Sequence, residues 1–318
     1  MENKPDIFPG PDGKRYRSFS SYLKSKFSCR VHKISVDAGF SCPNRDGTIG
    51  TTGCIFCCNE GFSFNTRSGG VAPVKEQLKS GIEHIRQRFR AEKFIAYFQA
   101  FTNTYAPVDR LRTIYDNIRK FPEIVGLFIG TRPDCVPDPV LDLIASYRRD
   151  YLTWVEYGLQ SSCAETLELI NRGHGTAEFT DAVERAHARG IEVCAHVILG
   201  LPGEDSDRML ATAGFLGRLG VDGVKLHALH VLKKSPLEAE YAARPFPLLE
   251  LGEYASLACD FLERIPAEMV LLRLAAEAPR AQLVGPRWCA SKNEAQAAVE
   301  AELERRDSFQ GRLFRDPA

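Results

Sequence analysis

The sequence predicts an α/β protein, a partial six-stranded (β/α) barrel with a small C-terminal addition. From Val31 onward, short strand-like runs alternate with amphipathic helical segments, the rhythm of a parallel sheet with crossover helices. Six such strand–helix units are complete by Leu226. The polar motifs fall just after the strands, where the loops of a barrel ring one mouth.

Val31 to Val36 is the expected first strand, feeding a cysteine-rich loop. Val74, Leu78, Ile82, Ile85 and Phe89 then recur four, four, three and four residues apart, one apolar stripe of a helix. Lys93 to Phe98 is the second strand, and Leu111, Ile114 and Ile118 mark its helix. Ile124 to Ile129 and Val140 to Tyr147 form the third unit. Leu152 to Tyr157 is the fourth strand, followed by a helical stretch broken near Arg172-Gly173-His174-Gly175. Ile191 to Leu199 is the fifth strand, and Met209 to Leu219 its helix, with a stripe at Met209, Ala213 and Leu216; Val221 to Leu226 is the sixth strand. Beyond residue 232 the pattern loosens into a helix over Leu249 to Arg264, a further strand over Met269 to Leu274 and a polar helix over 291–306, an addition able to close the barrel's open side. Three regions follow: a lead-in over 1–30, the barrel over 31–232 and an extension over 233–318.

A chain of 318 residues with 44% hydrophobic content can bury one large core, and a barrel of this length is commonly one domain. Lys+Arg and Asp+Glu both total 41, so the global field argues neither for nor against a polyanionic partner. No apolar run approaches the ~18–20 residues that cross a bilayer, and the N-terminus has no apolar signal core. A soluble, cytoplasmic protein without a membrane partner is expected. Residues 1–33 carry a net charge of +5, with Tyr16, Phe19, Tyr22 and Phe27 interleaved. Such a segment either grips phosphates and stacks bases or packs on the barrel through its aromatics.

The loop after the first strand holds the chemistry. Cys42, Cys54 and Cys57 stand in the spacing C-x11-C-x2-C, and Pro43, Asn44, Asp46, Gly47, Gly50 and Gly53 let the loop fold back on itself. Three thiolates can then face one metal centre. A closed structural zinc takes four ligands, whereas an iron–sulfur cube on three cysteines leaves one iron open to a small molecule. The other seven of the ten cysteines are scattered with no second C-x2-C, so one cluster is expected. Cys58 leaves a rival register, and a zinc site on these sulfurs remains the alternative.

Three closely set cysteines ending C-x-aromatic-C at the end of a first strand resemble the cluster loop of the radical S-adenosylmethionine (SAM) superfamily, here with a longer first gap. The surrounding DAGFSCPNRDG is similar to a bacterial family close to the Elongator catalytic subunit, over about Tyr16 to Trp288. The resemblance implies a [4Fe–4S] cluster on Cys42, Cys54 and Cys57 that binds SAM, cleaves it reductively and yields a 5′-deoxyadenosyl radical. It also implies a reductant such as flavodoxin or ferredoxin. Phe56 fits the pattern when Cys57 is the third ligand, and is carried over as a cofactor contact.

Gly200-Leu201-Pro202-Gly203-Glu204 resembles the turn that lines the adenine in relatives such as oxygen-independent coproporphyrinogen oxidase. Val155 to Ser161 and Ile170 to His174 resemble paired motifs of that group, making Glu156, Gln160 and Arg172 polar SAM contacts; a buried structural ion pair is the rival reading. Gln99 and Asn103, with Thr102, stand where relatives bind the SAM amino group. Arg132 and Asp134 resemble the Elongator third-strand motif, or form a salt bridge at the rim. If the sixth strand continues through His230, His227 and His230 point to opposite faces and cannot share a metal. His227 stays a candidate substrate contact, and Arg273, Trp288 and Lys292 are candidates for the mouth. The Elongator likeness suggests tRNA, at a wobble uridine side chain, as substrate. The coproporphyrinogen oxidase likeness suggests a small metabolite such as a tetrapyrrole, and a non-catalytic zinc-stabilised nucleic-acid-binding protein is the third reading. No acetyltransferase activity is expected, since these 318 residues leave no room for that domain of the Elongator subunit.

Overall fold

Strands rich in Val, Ile and Phe, buried on both faces, need helices on one side and a filled interior on the other, and that demand shapes the chain. The computed structural model describes residues 8–58 and 71–315, so Glu2, Lys4 and Asp6 of the basic lead-in lie outside the described residues. Seven parallel strands form one sheet in the order β1-β2-β3-β4-β5-β6-β8. They are β1 (Val31–Val36), β2 (Lys93–Phe98), β3 (Ile124–Thr131), β4 (Leu152–Gln160), β5 (Glu192–Leu199), β6 (Gly223–Ala228) and β8 (Val270–Arg273), with β7 (Val231–Leu232) between the last two in sequence. The six expected strands are present within a few residues. The further strand also joins the sheet, parallel to β6 with Val224 opposite Leu271.

The chain divides into two compact units. One comprises Leu23–Leu159 and Arg172–Cys194. Here β1 to β4 pair in parallel, with Val31 opposite Lys93, Ile95 opposite Gly126 and Gly126 opposite Leu152. Alternate residues serve opposite faces. Phe98 and Tyr157 turn toward the helices, where Phe98 meets Tyr115 edge-on at 5.1 Å and Tyr157 meets Phe179 at 6.2 Å. Lys33, Tyr97, Phe128, Trp154 and Glu156 share the other face, with Phe128 stacked on Trp154 at 5.7 Å. After α1 (Phe19–Phe27), the helices of this unit are α2 (Val74–Phe89), α3 (Val108–Tyr115), α4 (Asp138–Ser146) and α6 (Thr176–Ala188). The break expected near Arg172 separates α6 from the short α5 (Ala164–Leu169). α2 buries Leu78 and Ile82 and approaches β1 at Gly81, where a Cβ would lie 2.4 Å from Ile34 Cγ2.

The other unit comprises Met1–Tyr22, Gln160–Asn171 and Ala195–Ala318. Its helices are α5, α7 (Ser206–Leu219), α8 (Pro236–Ala243), α9 (Leu251–Glu263) and α10 (Lys292–Arg305), and β7 pairs antiparallel with β9 (Leu283–Gly285). Asp205 caps α7 by accepting from the Arg208 N–H at 2.9 Å, one of the four N–H groups a helix start leaves open. α9 and α10 are joined through Arg306, which donates to Asp260 and Glu302 at 2.6 Å each. The lead-in packs here. Tyr16 donates to Glu300, Leu271 N–H donates to Arg17 O, and Ser18 bridges to Leu271. Tyr16 and Tyr22, at 4% and 5% exposure, are therefore packing residues and not stacking faces for bases. Trp288 also turns inward, its ring 5.0 Å from Tyr254 and its Nε1 donating to Leu249 O. Among the described residues no helix is long and apolar enough to cross a membrane.

Gly81 supplies the first prediction. Gly81→Leu should destabilise the protein by roughly 1–3 kcal/mol, because a side chain there must displace Ile34 from a packed helix–strand contact. A denaturant melt checks it, and an unchanged midpoint would show that α2 can ride away from β1 freely.

Candidate functional site

The turn residues of the cysteine loop do what their chemistry suggests. Arg45 and Asp46 N–H both donate to Cys42 O, Gly53 N–H donates to Asn44 O at 2.7 Å, and Cys57 N–H closes a tight turn on Cys54 O at 2.9 Å. Asn44 is buried inside the loop, and its Nδ2 lies 3.7 Å from the Cys54 sulfur. All the described cysteines are free thiols. Burial, then the neighbouring Cys54 sulfur, pushes the Cys57 thiol up to about 11, with Cys42 adding to the rise and Arg45 opposing it. The Cys54 and Cys42 sulfurs thus both act on Cys57. Cys58 is buried, while Phe56 is half-buried in the turn between Cys54 and Cys57.

Two arginines face these sulfurs. Arg45 Nη1 stands 3.6 Å from Cys57 Sγ and Arg172 Nη1 stands 3.5 Å from Cys54 Sγ. Arg172 is itself fixed by two bonds to Gly158 O on β4, at 3.1 and 2.6 Å. The turn that presents it is held by Arg132, which grips Asp134 through two nitrogens at 2.9 and 2.8 Å and donates to Arg172 O and Gly173 O. Gly173 sits at φ +70°, in the left-handed region, with Ile49 and Asn44 of the cysteine loop close to where a Cβ would stand. Burial, then the Arg172 and Arg132 charges, push His174 down to about 2, so it stays neutral.

The remaining expected contacts divide by what they touch. Glu156 is fully buried and pairs with Lys33, not Arg172, at 3.0 Å; the Lys33 ammonium also lies over the Tyr97 and Phe128 rings. Asn103 ties its loop to the end of β3, donating through Nδ2 to Ala100 O and Gly130 O, while its buried Oδ1 has no partner among the described residues. Gln99 donates to Ser35 Oγ at 2.8 Å. In the other unit, Gly200 sits at φ +86°, a conformation that favours glycine, and starts the turn in which Leu201 is buried. Pro202 and Gly203 complete that turn, and Glu204 accepts from Ser161, the residue after Gln160. β6 ends at Ala228, so His230 is not in the strand with His227. Asn44, Arg45 and Lys33 are site residues that sequence reasoning passed over. The available signal for Lys33 was a lone charge in an apolar strand, at the parity of the inward face.

Three soft sulfur donors, brought together without a disulfide and faced by two guanidinium groups, suit an iron–sulfur cluster, whose thiolates need compensating positive charge. Among the described residues, no group of three His, Cys, Asp or Glu has the spacing for a single metal ion. A parallel (β/α) sheet carrying a cluster loop after its first strand defines an iron–sulfur enzyme of the partial-barrel class. The chain belongs to the radical SAM superfamily: that family's profile matches residues 45–216, and the Radical_SAM C-terminal domain matches residues 221–305. It is 39% identical to Bacillus subtilis YtqA over 317 residues, 99% of this chain and 97% of that one. The tRNA uridine(34) acetyltransferase of Dehalococcoides mccartyi is 26% identical over 158 residues, 49% of this chain and 34% of that protein. Among solved structures, archaeal Methanocaldococcus infernus Elp3 superposes with a TM-score of 0.67 at 17% identity, over 89% of this chain and 64% of that one. The fold is thus the partial radical SAM barrel, and the cofactors are the family's [4Fe–4S] cluster and SAM.

Two predictions follow from the site geometry. Cys42→Ala, Cys54→Ala and Cys57→Ala should each reduce bound iron after anaerobic reconstitution to background, and Cys58→Ala should retain it. Iron loss in Cys58→Ala with retention in Cys57→Ala would move the third ligand. Glu156→Ala should lower stability by roughly 3 kcal/mol because it removes a buried ion-pair partner of Lys33, and Lys33→Met with Glu156→Leu should recover most of that. Denaturant midpoints of the two variants check the pair, and no difference between Glu156→Ala and wild type would show that the Lys33–Glu156 pair does not stabilise the sheet.

Proposed function

We propose that this radical SAM enzyme acts on RNA, with tRNA and a wobble uridine side chain as the substrate, and that flavodoxin or ferredoxin supplies its electron. When bound, the cluster and SAM supply reductive cleavage of the sulfonium and a 5′-deoxyadenosyl radical that takes hydrogen from carbon. The chain's own residues hold and shield that chemistry. Cys42, Cys54 and Cys57 are the cluster ligands, Arg45 and Arg172 neutralise their sulfurs, and Phe56 closes the turn between two of them. Gln99 and Arg172 are the side chains we assign to SAM, with Asn103 holding the loop that presents Gln99.

The observation that carries the RNA reading is the 158-residue similarity to the tRNA uridine(34) acetyltransferase. A basic patch supports it. Lys24, Lys26 and Arg30 are exposed, and the fold brings Arg88, Arg90 and Lys93 beside them: Arg30 Nη1 donates to Phe89 O, and Lys93 lies over the Phe27 ring at 5.5 Å. The patch surrounds the amino-terminal ends of β1 and β2, about 20 Å from the cysteine loop along a six-residue strand. A large folded RNA can span that distance, with its phosphates on the patch and one nucleotide at the mouth.

Binding of tRNA by cluster-loaded protein should weaken steeply with salt, and Lys24→Gln, Lys26→Gln and Arg30→Gln together should reduce the log–log slope by about 2–3. Cells lacking the gene should accumulate an altered nucleoside at the wobble position, read by mass spectrometry of purified tRNA. An unchanged nucleoside profile together with salt-insensitive RNA binding would overturn the RNA reading.

A further inference from the structure

β5 and β6 are buried almost throughout, and each opens at one histidine. Past its first residue, β5 is buried everywhere except His196; β6 is buried everywhere except His227. The two rings stand 5.5 Å apart, tilted by 31°. Strand β8 adds a third opening at its end. Arg273 is the register partner of Lys225, which precedes His227 by two residues and so shares its face, and Arg273 is exposed. Packing does not explain two imidazoles and a guanidinium at the points where three core strands open, because apolar side chains there would close the core more cheaply.

His227 brings a free ring nitrogen and Arg273 a positive charge to this face. Nε2 of His227 is buried and has no hydrogen-bond partner, and Arg273 has no ion-pair partner among the described residues. Burial, followed by Arg273, His196, Lys225 and His230, holds His227 well below the usual imidazole range. Arg273, His196, Lys225 and His230, the groups that act on that ring, are basic, and Lys225 beneath it is 2% exposed. An anion reaching this face would be attracted by the Arg273 guanidinium and could accept a hydrogen bond from a protonated imidazole nitrogen.

We infer that His196, His227 and Arg273 form a subsite for an oxyanion, a phosphate or carboxylate group on a ligand of this enzyme. The planar fork of Arg273 suits two oxygens of such a group, and the orphaned imidazole nitrogen offers a further donor when it carries the proton. All the side chains lie within one compact unit, so the subsite is complete without reference to the cysteine loop. It also stands apart from the RNA reading, since a nucleotide and an acidic metabolite both bring an oxyanion.

Residue-resolved carbethoxylation of cluster-loaded protein by diethyl pyrocarbonate tests the subsite, with inorganic phosphate and acetate as probes. Phosphate or acetate should slow modification of His196 and His227 several-fold while leaving the exposed His84 unchanged. Arg273→Gln, at an exposed position that need not disturb folding, should weaken that protection by roughly tenfold, because the bonds lost are charge-assisted. Protection by phosphate alone assigns a phosphate group, and protection by acetate alone assigns a carboxylate. Protection by neither, or protection undiminished in Arg273→Gln, overturns the inference.

Discussion

The guanidinium of Arg172 is the joint on which the cysteine site depends. It donates twice to the Gly158 carbonyl of β4 and faces the Cys54 sulfur at 3.5 Å, so one planar group fixes the loop to the sheet. Arg132 secures the same joint from β3 by holding the carbonyls of Arg172 and Gly173 while its charge is met by Asp134. A buried guanidinium that lost such partners would be stranded at a cost of several kcal/mol, which confines the turn to one arrangement. The cysteine loop then has a rigid wall to close against, through Asn44 and Ile49 on Gly173.

Positive charge is the common chemical theme of the site. Burial and the neighbouring Cys54 sulfur raise the proton affinity of Cys57, and Arg45 opposes that rise at the sulfur itself, while Arg172 faces the Cys54 sulfur. The other unit places the cations Lys225 and Arg273 beside His196 and His227. A chain whose net charge is zero thus concentrates its basic groups where anionic partners are expected, while many exposed charges elsewhere pair off in ordinary surface bridges such as Arg189 with Asp142.

Most of the fold was legible because a strand or helix stripe needs only local periodicity. The stripe from Val74 to Phe89, the strands from Val31 through Leu226 and the break near Arg172 are where the pattern placed them. The short β7–β9 pair and α8 carried too few periodic residues to stand out, and α1 lay inside the lead-in, outside the alternating pattern. The aromatics of the lead-in misled, because a basic–aromatic pattern reads alike whether its rings face solvent or a helix. Only the partner surface, Glu300 and Leu271 more than 250 residues away, decides that Tyr16 and Tyr22 are buried.

The site divides along the same line. Sequence alone determined the three cysteines, their turn-rich loop and the family, since ligand identity and spacing are local properties that survive any packing. It also placed Glu156 and Arg172 in motifs, but not in their contacts. Tertiary structure decided that Glu156 meets Lys33 across four strands, that Arg172 turns to a sulfur and a strand carbonyl, and that His196 and His227 face each other. Side-chain partners on parallel strands are set by register and by which residues share a face, and those are fixed only once the whole sheet has formed.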